Sequence, residues 1–138
     1  MHLIAKRFVQ GVTLAGALSV VGVLAQQAAP PNGFKRTVVQ QQDLPSTPNR
    51  EVVQVIAEIQ PGAESGRHTH PGEEVGYVLE GTITLQSDGK PDVVKKAGDG
   101  FVIPGGTIHN AKNVSTSVAK VLATYVIEKG KPAATPVK

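Results

Sequence analysis

Four side chains in two separate stretches of the chain have the types and spacing needed to bind a metal ion. His68 and His70 stand two positions apart, Glu74 follows four positions later, and His109 comes after a Pro-Gly-Gly turn. On a β-strand, residues i and i+2 point to the same face, so the first two imidazoles can converge on one point. Three neutral imidazoles and a carboxylate suit Mn, Fe, Co, Ni, Cu or Zn. The spacing alone is about equally compatible with ordinary surface or core histidines.

The same residues fall within two longer patterns that resemble the paired signature motifs of the cupin superfamily. The patterns are Gly62-x5-His68-x-His70-x3-Glu74-x6-Gly81 and Gly98-x5-Pro104-x-Gly106-x2-His109-x3-Asn113. The short spacer between them is typical of small, single-domain bacterial (type 2) cupins, and the first pattern is similar to that of germins. About a dozen specified positions with fixed gaps make this resemblance specific.

The resemblance implies an all-β fold, the double-stranded β-helix (jelly-roll) barrel of cupins, and a metal site. It implies that one divalent transition metal (Mn, Fe, Ni, Cu or Zn) is bound by His68, His70, Glu74 and His109. Counting back from Gly81 selects Glu74 rather than its neighbour Glu73, which should point away. The remaining motif positions are interpreted as scaffold in turns and at strand ends: Gly62, Gly81, Gly98, Pro104, Gly106 and Asn113.

Short runs of β-branched residues between turn signals independently predict an all-β domain. No window shows the period of an amphipathic helix. The Asp88-Gly89 pair predicts a hairpin. The strands expected are 34–40, 51–59, 74–79, 82–86, 93–94, 101–103 and 119–128.

The first residues are typical of a secretory signal peptide. Lys6 and Arg7 precede the apolar run from Phe8 to Leu24, and small residues at Val23 and Ala25 match a cleavage site. A retained membrane anchor is the alternative, but the run is short of the ~20 strongly apolar residues of a spanning helix. We therefore expect a signal peptide at 1–25, a disordered leader at 26–33, a single cupin barrel at 34–128 and a C-terminal tail at 129–138.

Composition excludes several classes of protein. The chain has no cysteine, which rules out disulfides and thiolate catalysis. Loss of Lys6 and Arg7 with the signal would lower the formal net charge from +3 to +1, so the mature chain is nearly neutral. This charge argues against nucleic acid or a membrane surface as a partner. We expect a periplasmic or secreted protein.

Two functions remain open. The first is a metal-dependent enzyme, of dioxygenase or other oxidoreductase type, that acts on a small organic molecule. The second is a cupin that binds a metal or small ligand without turnover. Acid–base catalysis would need a titratable group beside the metal, and the available ones are Glu58, Glu73, Tyr77, Tyr125 and Glu128. Strand alternation turns Tyr77 away from Glu74, so no catalytic residue is assigned.

Assembly follows from the resemblance. Small cupins of this kind are commonly homodimers with an exchanged N-terminal strand or packed outer sheet faces. We expect a homodimer in which residues 34–40 take part, and we expect Arg67 to be a surface or dimer residue.

Overall fold

Ten antiparallel strands make up the part of the chain that the computed structural model describes, residues 32–138. The expected signal peptide, and the expected leader up to residue 31, lie outside the described residues. Within residues 32–138 there is no helix, and accordingly no helix long and apolar enough to cross a membrane. The all-β expectation is confirmed.

The strands form two five-stranded sheets that face each other. In order along the chain they are β1 (Phe34–Asp43), β2 (Arg50–Ile59), β3 (His68–Thr69), β4 (Gly72–Glu80), β5 (Thr82–Ser87), β6 (Val93–Lys96), β7 (Gly100–Ile103), β8 (His109–Lys112), β9 (Ala119–Glu128) and β10 (Thr135–Pro136). The first sheet has the order β1-β2-β9-β4-β7, and the second has the order β10-β3-β8-β5-β6. This double sheet is the jelly-roll arrangement expected.

The core lies between the sheets because the two longest inner strands bury every second residue. Strands β2 and β9 pair along their whole length, and their buried residues stand opposite each other. The buried apolar pairs are Val53 with Tyr125, Val55 with Ala123, Ala57 with Val121, and Ile59 with Ala119. Both strands contain several β-branched residues, the composition typical of strands.

All seven predicted strands are present, with bounds that differ by up to three residues. The predicted hairpin is also present, because β5 and β6 pair on either side of Asp88 and Gly89. Strands β3, β8 and β10 were not among the seven strands predicted from the pattern, although His68 and His70 were expected to share a strand face. The three strands have only two to four residues each, too few to show a period.

The expectation of a tail at residues 129–138 needs correction. Within this segment β10 pairs with β3, placing Thr135 opposite Thr69. Val137 donates a backbone hydrogen bond to the Arg67 carbonyl, and Ala133 packs against the buried core. The polar, proline-containing composition indicated disorder, but here the segment completes the edge of the second sheet.

The motif glycines and Asn113 act as scaffold, as predicted. The glycines at 62, 81, 98 and 106 all have positive φ, and β7 ends just before Pro104. Asn113 is fully buried, and its side-chain amide donates to the carbonyls of Ile59 and Ser117. It therefore ties the end of β2 to the loop before β9 and has no access to a ligand.

Candidate metal centre

The four predicted ligands meet between the two sheets. His68 in β3 and His109 at the start of β8 are register partners in the second sheet, and His70 follows directly after β3. Glu74 approaches from β4 in the opposing first sheet. All four side chains are buried. Residues from both sheets thus enclose one point in the barrel interior.

Each imidazole is held by a hydrogen bond from its Nδ1 atom to a backbone carbonyl. His68 Nδ1 lies 2.7 Å from the Gly66 oxygen, and His109 Nδ1 lies 3.0 Å from the Thr107 oxygen. His70 Nδ1 makes the same contact with the oxygen of Ala133. A carbonyl can only accept, so Nδ1 carries the proton in each ring. In a neutral ring of this tautomer, Nε2 carries the lone pair that binds a metal, as is usual for metal-binding histidines.

The Nε2 atoms of two rings face one carboxylate oxygen. Glu74 Oε2 lies 3.1 Å from His70 Nε2 and 3.0 Å from His109 Nε2. The ligand atoms of the three histidines lie within 4.8 Å of one another. Electron-rich atoms this close in a buried site need positive charge among them, from a proton or a metal ion. Nitrogen and oxygen donors of this kind fit a divalent transition metal.

Burial and mutual contact shift the protonation of the ligands. Burial raises the pKa of Glu74, but the hydrogen bonds from His109 and His70 outweigh burial and hold this pKa at about 2. Burial lowers the pKa of His68 to about 4, with help from the other two imidazoles. Both groups therefore have the charge state that metal binding requires at neutral pH: an anionic carboxylate and a neutral ring.

A cavity of about 30 Å³ adjoins the cluster. Glu74, His68 and His109 form part of its wall, whereas most of the rest is apolar. A cavity of roughly 10–15 Å³ by this measure holds one water molecule, so this one has room for about two. A small ligand can therefore approach the cluster from this cavity.

Two cavity residues stand out beside the ligands. Tyr125, from β9, is buried, and its ring lies 4.3 Å from that of His70 between centroids. Burial, followed by the charge of Glu74, raises the pKa of the Tyr125 hydroxyl, so it keeps its proton. Arg36, from β1, also lines the cavity. Arg36 was not predicted as a site residue, because the sequence does not show which face of β1 turns inwards.

Other candidates lie elsewhere, as predicted for Glu73, Tyr77 and Arg67 but not for Glu58. Glu73 and Tyr77 are exposed on the outer face of β4. Arg67 is exposed and forms an ion pair with Asp88. Glu58 forms an ion pair with Lys35 on the barrel surface. Of the five titratable groups considered for acid–base chemistry, only Tyr125 lines the cavity.

Comparison with known proteins agrees with this fold and site. A cupin domain family model matches residues 55–125, just over half of the chain. The chain therefore belongs to the cupin superfamily, and its buried three-histidine group supports a metal-binding cupin.

Several curated proteins are similar to this chain. Oxalate oxidase 1 of Hordeum vulgare is 28% identical over 109 residues, which cover 73% of this chain and 54% of that protein. The HTH-type transcriptional regulator PuuR of Escherichia coli is 35% identical over 79 residues, which cover 56% of this chain and 42% of that protein. The chain spans about half the length of the curated relatives it matches.

Solved structures show the same architecture. Oxalate oxidase in complex with the substrate analogue glycolate aligns with a TM-score of 0.63 at 25% identity, covering 79% of this chain and 57% of that one. A double-stranded β-helix protein from Klebsiella pneumoniae aligns with a TM-score of 0.63 at 24% identity, covering 78% and 90%. The second similarity establishes the fold alone.

Proposed function

We propose that this cupin is a metal-dependent enzyme of dioxygenase or other oxidoreductase type that acts on a small organic molecule. In this proposal His68, His70, Glu74 and His109 bind one divalent transition metal. The observation that carries the proposal is the fixed tautomer of all three rings, because each Nδ1 contacts a carbonyl and each Nε2 is left for the ion. The similarity to oxalate oxidase supports the oxidoreductase class.

The residues around the proposed metal site have separate roles. A bound redox-active ion supplies Lewis acidity and electron transfer to dioxygen. The carbonyls of Gly66, Thr107 and Ala133 fix the imidazoles, which keeps the ligand set pre-organised. The apolar cavity wall limits water to about two molecules. Tyr125 packs on His70 and stays protonated.

A second candidate is a cupin that binds a metal or a small ligand without turnover. The scarcity of acid–base groups favours this function. Apart from the proposed ligands, the titratable side chains that line the cavity are Arg36 and Tyr125, and burial raises the pKa of Tyr125 so that it keeps its proton. A chemistry that relies on the ion and dioxygen needs little from these groups, which is why the oxidoreductase remains the first candidate.

Adjacent carboxylates offer a matched test of the metal site. Glu74 is buried against two imidazoles, whereas Glu73 is exposed on the opposite face of the same strand. We expect elemental analysis of the full-length protein, purified from its own compartment, to find about one equivalent of metal per chain, as for a single four-ligand site. Glu74→Gln should lose most of this metal and Glu73→Gln should keep it. Equal metal content in both variants would contradict the ligand assignment.

The identity of the metal then separates the two functions. Iron, manganese, nickel or copper justifies a screen for dioxygen consumption with small organic acids and alcohols. Stoichiometric zinc, which has no redox chemistry, favours the binding function. Dioxygen uptake that depends on Glu74 but not on Glu73 would establish the oxidoreductase.

Location and assembly are further parts of the proposal. The N-terminal sequence supports export to the periplasm or outside the cell, and fractionation of the native host with an antibody tests this. A homodimer is proposed from the resemblance to other small cupins. A monomeric mass by light scattering would refute the dimer.

A further inference from the structure

Arg36 is a charged side chain that the barrel turns towards its interior. Its register partner in β2 is the buried residue Ala57, and side chains of register partners lie on the same face of a sheet. Its neighbour Lys35 pairs instead with Glu58, on the outer face. Arg36 accordingly lines the same cavity as Glu74, His68 and His109.

Part of the Arg36 guanidinium group lacks a partner. The Nε atom is buried and has no hydrogen bond, the only such side-chain atom within residues 32–138. No carboxylate in this part of the chain forms an ion pair with Arg36. Buried polar groups are nearly always paired in folded proteins. An unpaired donor that belongs to a cavity-lining cation indicates a missing acceptor.

Packing against aromatic rings explains the position of Arg36 but does not provide a hydrogen-bond acceptor for its Nε atom. Its Cζ atom lies 5.6 Å from the centre of the Phe34 ring and 5.9 Å from that of Tyr125. Cation–π contacts use the face of the guanidinium group and leave the N–H groups in its plane for other partners. Arg36 also hydrogen-bonds to the Tyr125 side chain, but its Nε atom is left without a partner.

We propose that Arg36 anchors a small carboxylate ligand, one of whose oxygens accepts from the guanidinium group while the other end of the ligand faces the metal ligands. This inference rests on the proposed metal centre and narrows its substrate class to small organic acids. With a divalent ion bound, the positive charges of the ion and Arg36 exceed the negative charge of Glu74, so the cavity attracts an anion.

The cavity limits the size of this acid. Its volume of about 30 Å³ corresponds to about two water molecules, roughly the space of one carboxylate group. The remainder of the wall is apolar, with Ile59, Ile83 and Phe101 among its residues. An acetate-sized acid fits this space, and Arg36 and His68 also line a second cavity of about 210 Å³.

Calorimetric titration of the full-length, zinc-loaded protein tests the role of Arg36. Acetate is the anionic probe, and acetamide is its neutral counterpart of the same shape. Arg36→Gln removes the proposed anchor, and Arg67→Gln removes an exposed arginine as the matched control. We expect Arg36→Gln to weaken acetate binding by about tenfold to a hundredfold, the range for losing one hydrogen bond to a charged group. Acetamide binding should be unchanged.

A conservative variant separates recognition from packing. Arg36→Lys keeps the charge but lacks the planar fork, so it should recover part of the acetate affinity. Zinc stoichiometry and melting temperature, measured on the same samples, should match those of the unchanged protein.

The outcomes distinguish this inference from the proposed function. Normal zinc uptake with equal acetate affinity in Arg36→Gln and Arg67→Gln would overturn the role of Arg36 and leave the metal site standing. Loss of zinc or of folding in both Arg36 variants would make Arg36 structural and also overturn the inference. A protein that takes up no zinc or other divalent metal would instead overturn the proposed metal centre itself.

Discussion

The C-terminal segment should control metal affinity through one backbone carbonyl. The Ala133 oxygen accepts from His70 Nδ1, and no other contact to that nitrogen is present within residues 32–138. A chain shortened to end at Lys131 loses this carbonyl. A chain shortened to end at Ala134 keeps it but lacks β10 and the hydrogen bond from Val137 to Arg67. The two truncations therefore separate the carbonyl contact from strand pairing.

The expected loss follows from two independent estimates. Removing the partner that orients a metal-binding histidine reduces metal affinity by about 10- to 100-fold. A buried N–H group without its acceptor costs about 1–3 kcal/mol, which corresponds to roughly 5- to 150-fold in affinity. We expect the chain ending at Lys131 to bind zinc at least tenfold more weakly than the full chain, and the chain ending at Ala134 to stay close to the full chain.

Competition with a chromophoric chelator measures these affinities, and circular dichroism checks that both shortened chains retain their strands. Full affinity in the chain ending at Lys131 would refute the reasoning. An equal loss in both truncations would assign the effect to β10 rather than to the carbonyl of Ala133.

Two further predictions concern the barrel and its pH dependence. Gly76→Ala should lower the free energy of unfolding by about 1–3 kcal/mol, because an added Cβ would lie 2.0 Å from Phe101 Cζ. Gly100→Ala is the control, since a Cβ there would have no contact closer than 3.7 Å. Urea unfolding should show a smaller loss of stability for Gly100→Ala. The metal-free protein should lose stability as pH falls from about 6.5 towards 2. The folded-state pKa of His68 is lowered from 6.5 to about 4, and that of Glu74 from 4.5 to about 2. The unfolded chain therefore takes up protons first as the pH falls. Glu74→Gln should flatten the part of this profile below pH 4.5, and a wild-type-like slope there would contradict the assignment.

The sequence predicted the metal cluster because its information is local. His68, His70 and Glu74 lie within seven residues of one another, although the chain passes from one sheet to the other between His70 and Glu74. The motif that contains His109 supplied the distant ligand. The long strands β2 and β9 were equally predictable, since both are long runs that contain several β-branched residues.

The missed residues depend on pairing over long distances. Lys35 and Arg36 are similar neighbours, and only the register of β1 against β2 sends one outwards and the other into the cavity. Ala133 acts through its main chain, so its side chain carries no sign of its role. A polar, proline-containing segment such as 129–138 offers no periodicity from which β10 could be inferred.

The contact between His70 and Ala133 also has a consequence in time. The two residues are 63 positions apart. Because the chain is synthesised from its N-terminus, His70 is made long before the carbonyl that orients its ring. A partly emerged chain holds its imidazoles loosely and competes poorly for ions. We therefore expect the site to fill only after the segment that contains Ala133 has docked against His70.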